Sequence, residues 1–298
     1  MKDLLKSVLR IMGLLAVSMV CLTGYLAIQN KLTARDILSF MQEPYVQDEA
    51  GYVEELRKGM LARQACIRIN YRGTLQEDME KKALDMLEMV FETNEPDIPD
   101  DADYLEYTYQ GVSAELISFF GIYQVTYHFD YLETQEETEY TGRQVEAILS
   151  ELDIKDTDDY TKVKKIHDYI VKELDYDEGL SRATPYEALT TGKATCQGYA
   201  ALFYRMAEEA GVPCRIIGGT ADGQPHAWNI VKLDGLWYNI DCTWDDPVGK
   251  GVDKYKIRHE FFLKSDNRSF LMHIRDGKYQ TSEFQKKYPM AKKDYVRN

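Results

Sequence analysis

The chain has 298 residues, 44% of them hydrophobic and 29% charged, which suits one large or two modest domains and makes the bulk of it globular rather than disordered. Its 50 acidic side chains outnumber 36 basic ones for a formal net charge of −14, so no basic surplus exists to neutralise phosphates and nucleic acid is excluded as a partner.

Lys2, Lys6 and Arg10 precede an uncharged run over residues 11–28. A helix of about 20 apolar residues spans a bilayer, and positive charge before it predicts the N-terminus inside. Residues 1–30 are therefore expected to be a single-pass membrane anchor, with the remainder extracytoplasmic. A cleaved signal peptide is the alternative, but neither Thr23-Gly24-Tyr25 nor Tyr25-Leu26-Ala27 makes a good small-x-small site. The cysteines, Cys21, Cys66, Cys196, Cys214 and Cys242, show no disulfide framework and no CxxC metal spacing. Cys214 and Cys242 read as small buried hydrophobes, with a bridge among Cys66, Cys214 and Cys242 left open.

Residues 31–150 read as a small α+β domain without assigned chemistry. Residues 66–71 alternate like a strand, and Met79, Ala83, Met86, Leu87 and Val90 give residues 76–91 a helical stripe. Residues 92–103, with two prolines and several acids, form a loop; 104–109 and 121–132 are expected as strands. A second domain, 151–298, follows, with its first helical pattern (Val145, Ile148, Leu149, Leu152) straddling the boundary. An acidic break over 153–159 leads to a helix over 160–174 whose stripe is Val163, Ile166, His167, Ile170, Val171 and Leu174. A third helix starts after Thr195 and ends at Gly211 and Pro213; strands are expected over 214–220, 226–233 and 236–242.

Chemistry concentrates in this last stretch. Thr195 is a good N-cap, which puts Cys196 in the first helical turn, where unpaired amides and the positive dipole end favour a thiolate and an oxyanion. Asp234-Gly235 is a two-residue hairpin signal; with that turn Trp228 faces Asp241 and His226 faces Thr243. His226 and Asp241 then share a face as diagonal neighbours about 7–8 Å apart at the backbone. Cys196 is the candidate nucleophile, His226 its base and Asp241 the residue that orients His226, a set suited to attack on a carboxamide through a thioester. His167 reads as a core histidine bonded to backbone, and His259 and His273 have no partner in view. Asp175, Asp177 and Glu178 read as a solvated loop, and Asp245 and Asp246 as turn acids.

The ordered pieces Ile166-His167-Asp168-Tyr169, Pro185-Tyr186-Glu187-Ala188-Leu189, Gly192-Lys193-Ala194-Thr195-Cys196-Gln197-Gly198-Tyr199-Ala200, Gly211-Val212-Pro213-Cys214, His226-Ala227-Trp228-Asn229, Asp241-Cys242-Thr243-Trp244-Asp245-Asp246-Pro247 and Phe261-Phe262-Leu263-Lys264-Ser265-Asp266 resemble the transglutaminase-like superfamily. The resemblance covers residues 155–269 and implies a papain-like α+β core with Cys196, His226 and Asp241 as its triad. The resemblance carries over no particular substrate; a protein or peptide substrate and no cofactor are expected, with hydrolysis somewhat favoured over cross-linking because water needs no acceptor site. A catalytically silent module that binds peptides is the alternative. No calcium-site pattern of the animal cross-linking enzymes is recognisable, and Gln197 and Trp228 are left without roles.

Overall fold

The computed structural model describes residues 44–72, 79–93, 98–119, 122–246, 256–266 and 272–297. The expected anchor at 1–30, with Cys21, lies outside the described residues, as does Pro247. Among the described residues no helix is long and apolar enough to cross a membrane.

The N-terminal part begins with helix α1 (Glu49–Leu61), whose first turn is closed by Asp48 accepting from the Gly51 amide at 2.7 Å. Strand β1 (Cys66–Tyr71) and helix α2 (Met79–Glu92) follow, and α2 buries Met79, Ala83, Met86, Leu87 and Val90 as its periodicity requires. Next come a short helix α3 (Asp103–Tyr107) and the hairpin β2 (Tyr109–Phe119) and β3 (Ile122–Tyr131), which complete an antiparallel sheet in the order β1-β3-β2. The strand expected over 104–109 is thus mostly helix. The reason is tertiary: Asp103 is captured by Arg215, Tyr104 enters the second core and Leu105 the first.

Helix α4 (Gln135–Glu151) opens with a capping box between Thr134 and Glu137 and contributes Val145 to the larger core. After it come α5 (Asp159–Glu173), β4 (Asp175–Tyr176), α6 (Pro185–Thr191), β5 (Lys193–Ala194) and α7 (Cys196–Glu209). Helix α7 is buried from Gly198 to Glu208 and is the axis of this core. Strands β6 (Cys214–Ala221), β7 (Gln224–Leu233), β8 (Leu236–Ile240) and β9 (His273–Arg275) pack against it as an antiparallel sheet in the order β8-β7-β6-β9. Alternation along β7 sends Ala227, Val231 and Leu233 to the α7 side, and Trp228 and Ile230 to a smaller core with Trp237, Tyr279, Phe284 and Tyr288.

At the β7–β8 turn Asp234 and Gly235 both take positive φ, 50° and 84°, as a primed two-residue turn demands. The register pairs Leu233 with Leu236 and Asn229 with Ile240, as that turn predicts. The strand stops earlier than the expected 242, however. Asp241 turns out of the ladder to cap a short helix, α8 (Cys242–Asp245), accepting from the Trp244 amide at 3.1 Å. Cys66, Cys196, Cys214 and Cys242 are all free, so no bridge joins Cys66, Cys214 and Cys242; the last two are buried thiols, as their surroundings suggested.

Candidate active site

Cys196 is the first residue of α7 and is partly exposed. Thr195 occupies the N-cap position, but its side chain makes no capping hydrogen bond, so it does not close off the first-turn amides. What fixes this helix start is the chain before it. The Asp175 and Asp177 amides donate to the Gly192 and Ala194 carbonyls at 2.8 Å each, and the Thr195 amide donates to the Arg182 carbonyl at 2.7 Å. The Asp177 carboxylate in turn accepts from the Ser181 and Arg182 amides at 2.9 and 3.1 Å, and these bonds hold it well below the usual carboxylate range. The stretch expected as a solvated loop is therefore a built turn that seats Cys196.

Three further bonds tie α7 to its surroundings. Asn229 on β7 donates to the Ala200 carbonyl at 3.0 Å, the Tyr199 hydroxyl to Asp246 at 2.8 Å, and the Gln197 amide to the Tyr107 carbonyl at 2.7 Å. Gln197 is thus engaged with the N-terminal part, and the Trp228 indole donates to Asn239 at 3.2 Å.

The expected diagonal between His226 and Asp241 closes completely. His226 Nε2 donates to Asp241 Oδ2 at 2.7 Å, with side-chain exposures of 7% and 1%. Cys196 lies near enough to the same imidazole to help raise its pKa. With Nε2 committed to Asp241, Nδ1 is the ring nitrogen left for sulfur. Burial pushes the His226 imidazolium down, but the hydrogen bond to Asp241 and the neighbouring Cys196 outweigh it and raise its pKa to about 10. Burial likewise pushes the Asp241 carboxyl up, and the bonds from His226 and His273 bring it down to about 2.

His273, which the sequence left without a partner, completes this network. It comes in on β9 with a side chain that is 0% exposed and donates from Nε2 to the same Oδ2 of Asp241 at 2.8 Å. Its ring packs against Trp228 at 5.1 Å and Trp244 at 4.6 Å, and His226 stacks on Trp228 at 6.1 Å. The turn acids also do more than cap. Asp245 is fully buried, accepting from His167 Nε2 at 3.0 Å and the Phe261 amide at 3.0 Å. His167 is the buried residue its stripe predicts, but its partners are the carboxylates of Asp168 and Asp245, not backbone. His259 bonds Asp168 at 2.7 Å.

A partly exposed thiol at a helix start, set against an imidazole on an antiparallel hairpin and a carboxylate just past the hairpin's end, sits in a mixed helix-and-sheet transglutaminase-like core. Residues 146–242 match the family model described as the transglutaminase-like superfamily, and this part of the chain belongs to that superfamily. The human "Kyphoscoliosis peptidase" is 31% identical over 118 residues, covering 34% of this chain and 18% of that protein. "Hillarin" of Drosophila melanogaster is 27% identical over 164 residues, 46% of this chain and 19% of that protein. The chain thus spans about a fifth of the length of these curated relatives. A solved structure described as a TGase aligns over 66% of this chain and 58% of its own, at 16% identity and a TM-score of 0.34.

Proposed function

We propose that this protein is a cysteine-dependent acyl-transfer enzyme that acts on amide bonds of proteins or peptides through a thioester, on a papain-like core. One observation carries the reading: a single imidazole, His226, has Cys196 as a neighbour and is hydrogen-bonded to the buried carboxylate of Asp241. His226 takes the thiol proton of Cys196. The Cys196 sulfur attacks the amide carbon, a C–S bond forms, and the carbonyl electron pair moves to oxygen, stabilised by first-turn amides of α7. Collapse breaks the C–N bond as His226 protonates the departing amine. Water then attacks the thioester and gives its proton to His226, the C–S bond breaks, and the pair is restored. A second amine in place of water gives transamidation. Hydrolysis is preferred, since water needs no acceptor site and the human and mouse relatives carry the name peptidase. The uncharged run 11–28 behind Lys2, Lys6 and Arg10 supports a membrane-anchored, extracytoplasmic placement.

The test is incubation with casein and a fluorescent amine, comparing wild type with Cys196→Ala. Cleavage or ammonia release that disappears in the variant is expected. Amine incorporation redirects the reading to cross-linking, and silence in both channels leaves a binding module.

A further inference from the structure

Asp241 at the start of α8 bonds His226, and Asp245 at its end bonds into a second cluster of ligating side chains that the proposed chemistry does not use. His167 Nδ1 is 3.1 Å from Asp168 Oδ1, and His259 Nε2 is 2.7 Å from the same oxygen. We infer that His167, Asp168 and His259 form a binding site for a divalent transition-metal cation of the zinc class. The two imidazole nitrogens and the carboxylate oxygen all lie within 4.8 Å of one another. Two nitrogens and one oxygen form a donor set that zinc accepts at about 2.0–2.2 Å each, with a fourth position left for water.

The arrangement around the three supports this occupant. Both ring nitrogens of His167 face carboxylates, Nε2 being 3.0 Å from Asp245 Oδ2. In the neutral imidazole with Nε2–H on Asp245, the Nδ1 lone pair faces Asp168 and is available to a cation. With a cation on Nδ1 and Oδ1, Asp245 becomes the outer carboxylate that orients a metal-bound imidazole. Lys164 holds Asp168 through Oδ2, leaving Oδ1 as a single ligand atom. Phe262 packs against both rings, at 4.9 and 5.4 Å, and forms a dry wall. The His259 side chain, 35% exposed, leaves an approach from solvent.

His226, Asp241 and His273 also lie within 4.8 Å of one another. There Cys196 neighbours His226 and Asp241 Oδ1 is taken by the Trp244 amide, so that group serves the proposed nucleophile. An ion at the first cluster ties α5 to the segment carrying His259. Through Asp245 it also ties α5 to α8, whose N-cap is Asp241. No sequence spacing announces the site, because two ligands are adjacent on one helix and the third lies far along the chain.

The test uses the chelator-stripped full chain carrying Cys196→Ala, which removes the thiol as a competing ligand. Zinc chloride is titrated by calorimetry and cobalt chloride is followed by its visible ligand-field band. One bound equivalent is expected, with a rise in Tm on loading. His259→Ala, at a partly exposed position, loses that equivalent and the Tm rise, whereas His273→Ala keeps both. The proposal is overturned if no equivalent binds, which makes His167 a buried imidazolium between two carboxylates. Binding that survives His259→Ala, or that disappears in His273→Ala, overturns it as well.

Discussion

Asp241 shows how much one side chain carries here. One oxygen accepts from His226 and His273 and the other from the Trp244 amide, so orientation of the imidazole and closure of the following turn rest on the same carboxylate. Replacing it by Asn keeps the shape but puts an amide nitrogen or a weaker acceptor against His226. Asp241→Asn is expected to lower kcat by on the order of 10² to 10⁴, as loss of correctly poised acid–base catalysis does. The pH dependence has a definite sign. The pKa of His226 is raised in the folded protein, so its stabilisation is fully present below the unfolded imidazole value of about 6.5 and is lost as pH rises through about 10. Asp241, with a lowered pKa, contributes above the unfolded carboxyl value of about 3.9 and loses its contribution as pH falls through about 2. Alkaline inactivation is thus expected near pH 10, and in Asp241→Asn at lower pH; equal alkaline limbs in the two proteins would rule out the carboxylate as the cause.

At the level of elements, the sheet delivers its chemistry by close backbone approach. β6 can sit between β7 and β9 because Gly219 has no side chain: a Cβ there would lie 2.1 Å from the Ile274 carbonyl oxygen and 3.0 Å from the Arg275 Cα. Gly219→Ala forces β9 outward and carries His273 away from Asp241. A loss of about 1–3 kcal/mol is expected, the usual range for overpacking, together with a fall in kcat. Unchanged urea denaturation and turnover would show that β9 does not position the network. Legibility in the sequence also differed by element. α2, α5 and α7 carry long 3.6-residue stripes, and the hairpin carries an Asp-Gly turn, so each could be read locally. β2 lies at the edge of its sheet with Ser113, Ala114 and Glu115 exposed, and leaves no alternation to read. α1 does carry Tyr52, Val53, Leu56 and Met60 at helical spacing behind an Asp48 cap, a signal that could have been found.

Across the whole molecule, buried ion pairs fasten the segment between the two cores. Arg57 bonds Asp101 through Nε at 2.9 Å, while Arg215 makes a two-point pair with Asp103 at 2.7 and 2.8 Å, and the Ile216 amide adds a third bond at 2.6 Å. Arg215→Ala strands a buried carboxylate and is expected to cost about 3–5 kcal/mol, read from denaturant midpoints. A single transition is expected for the wild type; two separate ones would show that the cores fold independently. A fragment starting at residue 151 lacks both Asp103 and Val145 and is expected not to fold. By itself the sequence determined the helix that presents Cys196, the hairpin register that aligns His226 with Asp241, and the family of the core. Each follows from local periodicity, a turn dipeptide or an ordered motif. Only the tertiary structure decided that His273 shares Asp241, that His167, Asp168 and His259 converge, and that residues 101–107 lock onto β6. These partners come from distant stretches of chain, and a hydrogen bond between them leaves no period in the sequence.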